Sequence, residues 1–153
     1  MVPGDATLYQ IGIVVRDLEK STRTYSEIFG LSGWRTMNTD YRARWRGREG
    51  RVTNRNAFAR WNDLYLEMVE PGVGNSSARE WLGARGEGIF HLGYIVDGSP
   101  IVPPGMAASF EVIGETPPKI IHLDTVASLG YFVELAEREI CERLMRWIDE
   151  GSG

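Results

Sequence analysis

Short apolar runs alternate with turn-forming clusters along the chain, and the period of each run sorts it into strand or helix. Leu8 to Val15 is β-rich and ends at Arg16-Asp17. Asp17 suits the N-cap of a helix starting at Leu18, in which Leu18, Tyr25, Ile28 and Phe29 form an apolar stripe and Gly30 takes the C′ position. Thr36 to Arg46 reads as a strand, with Gly47 and Gly50 bracketing a turn. Val52 to Trp61 and Leu64 to Glu70 read as a hairpin over Asn62-Asp63, stopped by Pro71-Gly72. Ser77-Ala78-Arg79-Glu80 has the form of a capping box that opens a helix reaching about Ala84. Ile89 to Val96 is again β-rich, and Asp97-Gly98-Ser99-Pro100 and Pro103-Pro104-Gly105 then break the chain. The pattern beyond predicts a brief helix near Met106 to Phe110. Strands follow at about Glu111 to Ile113, Lys119 to Asp124 and Tyr131 to Leu135. From Ala136 to Glu150, Ile140, Leu144, Trp147 and Ile148 recur at helical spacing.

Two of these segments repeat. Gln10-Ile-Gly-Ile-Val-Val aligns with His91-Leu-Gly-Tyr-Ile-Val, and Leu64-Tyr-Leu-Glu-Met-Val-Glu aligns with Tyr131-Phe-Val-Glu-Leu-Ala-Glu, so that Glu67 falls on Glu134. Each half opens with a strand bearing Gln or His and closes with a strand bearing Glu. The reading is one α+β domain over residues 1–153, made of two tandem βαβββ modules in a cleft-shaped mixed sheet. Module one spans about 6–72, a connecting helix 76–85, module two about 88–138 and a terminal helix about 136–150. The second module is shorter, in keeping with its proline-broken 98–105 segment.

Two copies of one unit pair about a pseudo-twofold axis, which would bring Gln10, Glu67, His91 and Glu134 into one cleft. Taken singly, a His in an apolar strand is a hydrogen-bonded core residue and a Glu near a strand end is solvated. Four polar breaks at matched positions change that, because burying each without a partner is costly. A carbonyl oxygen, an imidazole nitrogen and two carboxylates suit a divalent cation with open positions. His122 has no evident counterpart in the first half and reads as structural or cleft-lining. The hairpin register places Asn56, Phe58, Arg60, Tyr65 and Glu67 on the cleft side as candidate substrate contacts, with Trp61 opposite Leu64 and Phe58 opposite Glu67.

Composition narrows the classes. Hydrophobic residues make up 42% of the 153, enough for a core, and the net charge of −4 argues against nucleic acid as a partner. Arg42, Arg44, Arg46, Arg48, Arg51, Arg55 and Arg60 crowd one stretch, either as a solvated strand face or as an anion site. The single cysteine, Cys141, excludes an internal disulfide and reads as a helical packing residue. No apolar stretch has membrane-spanning length and the start lacks a signal-peptide pattern, so a cytoplasmic protein without a membrane partner is expected.

At these residues the chain resembles the vicinal-oxygen-chelate (glyoxalase/bleomycin resistance) superfamily, in particular its methylmalonyl-CoA epimerase and glyoxalase I members. Gly86-Glu87-Gly88-Ile89-Phe90-His91-Leu92 is the most specific match. The resemblance implies a divalent metal (Zn, Ni, Co, Mn or Mg), a small-molecule substrate that chelates it, and a homodimer. Gln10 stands where epimerase-like members carry His. The Gln/Glu/His/Glu order is similar to zinc-type glyoxalase I, and it disfavours the two-His, one-Glu iron set of the dioxygenases. The implied function is a metal-dependent isomerase or lyase that abstracts a proton next to a carbonyl through a metal-bound enolate, with Glu134 as the main base and Glu67 as ligand and second base. The alternatives are a protein that binds an antibiotic or hydrophobic ligand, or a metal-free acid–base enzyme on the same fold.

Overall fold

A computed structural model describes residues 5–114 and 118–151. The elements in chain order are β1 (Thr7–Val14), α1 (Leu18–Phe29), β2 (Arg35–Trp45), β3 (Arg48–Trp61), β4 (Leu64–Pro71), α2 (Ser77–Arg85), β5 (Gly88–Val96), β6 (Ala108–Ile113), β7 (Ile120–Leu123), α3 (Val126–Leu129), β8 (Phe132–Glu137) and α4 (Arg138–Gly151). The strands form a closed barrel in the order β1-β4-β3-β2-β6-β7-β8-β5. The order contains one motif twice. β1 pairs in parallel with β4, and β5 pairs in parallel with β8. The modules meet where β1 runs antiparallel to β5 and, at their far edges, where β2 runs antiparallel to β6 from Arg42–Ile113 to Trp45–Phe110. The second contact carries the sheet beyond a cleft and closes it.

Local chemistry accounts for most boundaries. Asp17 accepts a hydrogen bond from Lys20 N at 3.0 Å and Glu70 accepts from Leu18 N at 2.8 Å, so two of the free amides at the α1 start are satisfied. Gly30 ends that helix in the left-handed region, with φ 69°. The β3–β4 turn puts Asn62 at φ 56°, and the register is Trp61–Leu64, Arg60–Tyr65 and Phe58–Glu67, as the hairpin pattern predicts.

Three expectations are corrected. The β2–β3 turn is Arg46-Gly47, both with positive φ, and Gly50 lies inside β3. Ser76, not Ser77, caps α2, accepting from Arg79 N at 3.1 Å, while Glu80 turns away to Arg46. Two adjacent serines compete for one cap, and the choice of Ser76 frees the Ser77 hydroxyl to face inward. No helix forms at 106–110, where Ala108 already starts β6 and pairs with Leu123.

The core lies on both sides of the barrel wall. α1 packs outside, where Leu18 joins Ile13, Ala57, Leu66 and Met68. α4 packs on its own barrel, burying Cys141 and Ile148 against Tyr9, Phe58, Tyr65 and Ile95. No helix among the described residues is long and apolar enough to cross a membrane. Because Glu70 still serves Leu18 N when Asp17 is lost, Asp17→Ala is expected to cost about 1 kcal/mol, not to unfold the protein. Urea denaturation checks this, and an unchanged midpoint would remove the cap from the account of α1.

Candidate functional site

The β1–β5 seam builds the floor of the site. Gln10 stands opposite Gly93, and Gly12 stands opposite His91. A Cβ on Gly12 would come within 2.2 Å of His91 Nδ1, and one on Gly93 within 3.0 Å of the Gln10 Cβ. Each polar side chain therefore lies over the glycine of the other strand, which explains the repeated polar-apolar-Gly triplet in both halves. The two meet in a 2.8 Å hydrogen bond between His91 Nε2 and Gln10 Oε1, with both residues fully buried.

β7 and β8 add the second part. His122 pairs in register with Glu134, and its Nε2 lies 2.9 Å from Glu134 Oε2. Its Nδ1 lies 2.8 Å from the Oγ of Ser77, the hydroxyl that α2 capping left free. His91 Nε2 is 3.7 Å from the same Glu134 oxygen. Donor atoms of His91, His122 and Glu134 all fall within 4.8 Å of one another.

Electrostatics separates the two carboxylates. Burial raises the Glu134 pKa, but His91 and His122 together outweigh it and hold the group below the usual carboxylate range. Burial and the nearby Glu134 push Glu67 upward. Gln10 works the other way on Glu67, although its Nε2 makes no hydrogen bond of ordinary geometry. Burial drives His91 down to about 4, so it is neutral near pH 7. With Glu134 anionic, His122 Nε2–H donates to it and the Ser77 hydroxyl donates to Nδ1, an assignment made from the network.

The cluster opens into a cavity of about 700 Å³ whose wall includes Asn56, Phe58, Glu67, His91, His122, Glu134 and Trp147. Of the residues singled out from sequence, Gln10, His91 and Glu134 come together. Glu67 lines the same cavity but stands outside the tight donor group. Asn56 and Phe58 line it too, Asn56 tied to Met37 O and Thr39 Oγ1. Arg60 and Tyr65 do not, because Asp149 of α4 takes both, at 3.4 Å and 2.8 Å. His122 is the residue that sequence reading undervalued. The repeat does hold its signal: His122 faces Glu134 across β7–β8 as Phe58 faces Glu67 across β3–β4. Cys141 is no nucleophile, since it is buried and its thiol is pushed up to about 12 by that burial.

The donor set fits a metal ion. Ligands held at about 2.0–2.2 Å from a tetrahedral ion stand about 3.3–3.6 Å apart, and the two separations from Glu134, 2.9 and 3.7 Å, bracket that spacing. Among the described residues His91 Nδ1, packed on Gly12, has no hydrogen-bond partner and so costs one hydrogen bond in either tautomer. The seam generates a graded expectation. Gly12→Ala should destabilise by about 2 kcal/mol or more, since a ring and a backbone must separate, and Gly93→Ala by clearly less. Thermal unfolding of the two variants measures this, and equal losses would remove reciprocal packing as the cause.

Comparison with known proteins extends these observations. A methylmalonyl-CoA epimerase bound to methylmalonyl-CoA and NH4+ superposes with a TM-score of 0.60 at 21% identity, covering 86% of this chain and 94% of that one. A Streptomyces coelicolor methylmalonyl-CoA epimerase variant in complex with 2-nitronate-propionyl-CoA gives 0.61 at 21%, with 87% and 98% covered. A hypothetical protein from Bacillus halodurans gives 0.54 at 18%, with 88% and 95% covered. At such identities the likeness is one of fold. A search of curated proteins finds no match. The family model of the glyoxalase/bleomycin resistance protein/dioxygenase superfamily matches residues 9–101, which takes in Gln10, Glu67 and His91 and stops short of His122 and Glu134. With more than half of the chain matched and a barrel of two repeated modules around a shared polar cluster, the chain belongs to the glyoxalase/bleomycin resistance protein/dioxygenase superfamily.

Proposed function

We propose that the protein is a metal-dependent enzyme of the vicinal-oxygen-chelate type that moves a proton at a carbon next to a carbonyl. The observation that carries this reading is the convergence of His91, His122 and Glu134 donors at the floor of an apolar cavity. These three residues would hold a divalent ion, with the Gln10 carbonyl at His91 as a further oxygen donor. Such an ion supplies Lewis acidity, which makes the C–H beside a carbonyl easier to ionise.

The side chains divide the remaining work. Ser77 fixes the His122 ring, and its hydroxyl accepts from Nδ1–H as readily as it donates, so it supports the ring with or without an ion on Nε2. Glu134 is committed to two histidines. Glu67 stands apart on the cavity wall and is the better base, taking the proton from the substrate carbon and returning it. This moves the main base from Glu134 to Glu67 and the third ligand from Glu67 to His122. Phe58, Phe90, Phe110 and Trp147 on the wall would limit water around the reacting carbon, which helps keep the proton within the site.

Metal content by plasma mass spectrometry tests the ligand set. One divalent ion per chain is expected in the wild type and in Glu67→Gln, and loss is expected in His91→Ala and His122→Ala. Ser77→Ala should keep the stoichiometry but weaken affinity by about tenfold or more. Failure to take up zinc, nickel, cobalt or manganese would sink the metal reading. Retention of the ion by His122→Ala together with its loss in Glu67→Gln would restore the set expected from the repeat. Solvent deuterium exchange into a panel of carbonyl compounds then reads the base, and Glu67→Gln is expected to lose exchange while holding its metal.

A further inference from the structure

We infer that the cavity takes a compact, mostly apolar aryl or alkyl carbonyl compound with a single anionic group held by Arg143, and that it excludes coenzyme A thioesters. The inference deepens the reading above and rests on it for the reaction, though not for the binding. Three independent features support it.

The first is charge. Of the seven crowded arginines, Arg44, Arg46, Arg51, Arg55 and Arg60 each face a carboxylate, and none of the seven lines the cavity. Inside stand Glu67 and Glu134, with Arg143 of α4 as the arginine of the lining. Among the described residues that line the cavity, a nucleotide tail with several phosphate charges meets the single cation Arg143, which matches one carboxylate. The second is closure. A long ligand needs a cleft open along its edge, and here β2 pairs with β6 along one edge while α4 packs on Tyr9 and Phe58 of the wall, which shortens the opening. The third is the wall itself. Phe58, Phe90, Phe110, Leu144 and Trp147 make the wall mostly apolar, with Thr39, Asn54 and Asn56 as polar points along it, around about 700 Å³, within the about 300–1,000 Å³ typical of pockets that bury a drug-sized molecule.

Arg143 is placed to read the anionic end. Its side chain lines the cavity yet is 63% exposed, so it sits at the rim. Glu139, its partner on the same helix, is 3.9 Å away and 71% exposed, a weak contact that an incoming carboxylate displaces. Ile140 and Trp147, one turn before and one turn after Arg143, continue the cavity wall from the same helix face. An apolar body against that face, with its carboxylate at Arg143, directs the far end toward the His91–His122–Glu134 floor.

The test is calorimetric binding of naphthalene carboxylate, its neutral carboxamide, and acetyl-coenzyme A to the full chain, as purified and after chelator treatment. The carboxylate should bind about five- to tenfold more tightly than the amide, and Arg143→Gln should abolish that preference while leaving amide binding unchanged. Acetyl-coenzyme A should not displace the carboxylate. Displacement at comparable concentration, or an Arg143→Gln variant that weakens both probes or neither, would overturn the proposal. The chelated sample keeps the two readings apart: a protein that binds no metal but retains the carboxylate preference loses the reaction and keeps the ligand class.

Discussion

The buried polar pair at the centre of this barrel depends on the antiparallel contact between β1 and β5. Two strands in close register can bury a glutamine and a histidine side by side only if something opposite each is small enough to admit it. Gly93 and Gly12 meet that need reciprocally. The packing brings Gln10 and His91 into buried hydrogen-bond contact, and that pair is the floor beside which His122 and Glu134 assemble. The same contact joins the two modules, so the requirement that creates the site also creates the domain. A stabilising seam made of apolar side chains would have been simpler. Stability alone does not account for the buried polar pair, because a buried amide and imidazole add little over well-packed hydrocarbon.

Much of this was legible in the sequence because the modules repeat. Period and turn chemistry located β1, α1, the β3–β4 hairpin and its register, and the doubled polar positions pointed to Gln10, His91 and Glu134. The misses have physical causes. Ser76-Ser77 offers two equivalent caps, and local preference cannot choose between them; the hydrogen bond to His122, forty-five residues away, does. Arg60 and Tyr65 have the parity of cavity residues but lie where α4 crosses, and the position of a helix over a barrel end is a tertiary fact. His122 was undervalued because the match was sought by residue type. Matched by cross-strand position it corresponds to Phe58, a comparison that needs the β7–β8 register.

That correspondence explains why a symmetric fold carries an asymmetric site. In module one, Phe58 faces Glu67, an aromatic ring gives the carboxyl no ion partner, and burial drives its pKa upward. In module two, an imidazole occupies the same place, and Glu134 is held down by His122 and His91. One difference in a repeated hairpin thus separates two equivalent carboxylates into one held anionic by two histidines and one whose pKa burial raises. Enzymes that handle protons near neutral pH need such a split between neighbouring acids.

The same asymmetry constrains what can occupy the cavity. Module two commits its polar side chains to the floor, and α4 presents one cation at the rim, so the volume between is bounded mainly by hydrocarbon and aromatic rings, with Thr39, Asn54 and Asn56 as polar points among them. A ligand with polar groups spread along its length would leave several of them buried and unpaired, at about 1–3 kcal/mol each. One with a carbonyl at one end, an anion at the other and an apolar body between meets every polar group where a partner stands. Discrimination in this site therefore rests more on where polarity is absent from the ligand than on how many contacts it makes.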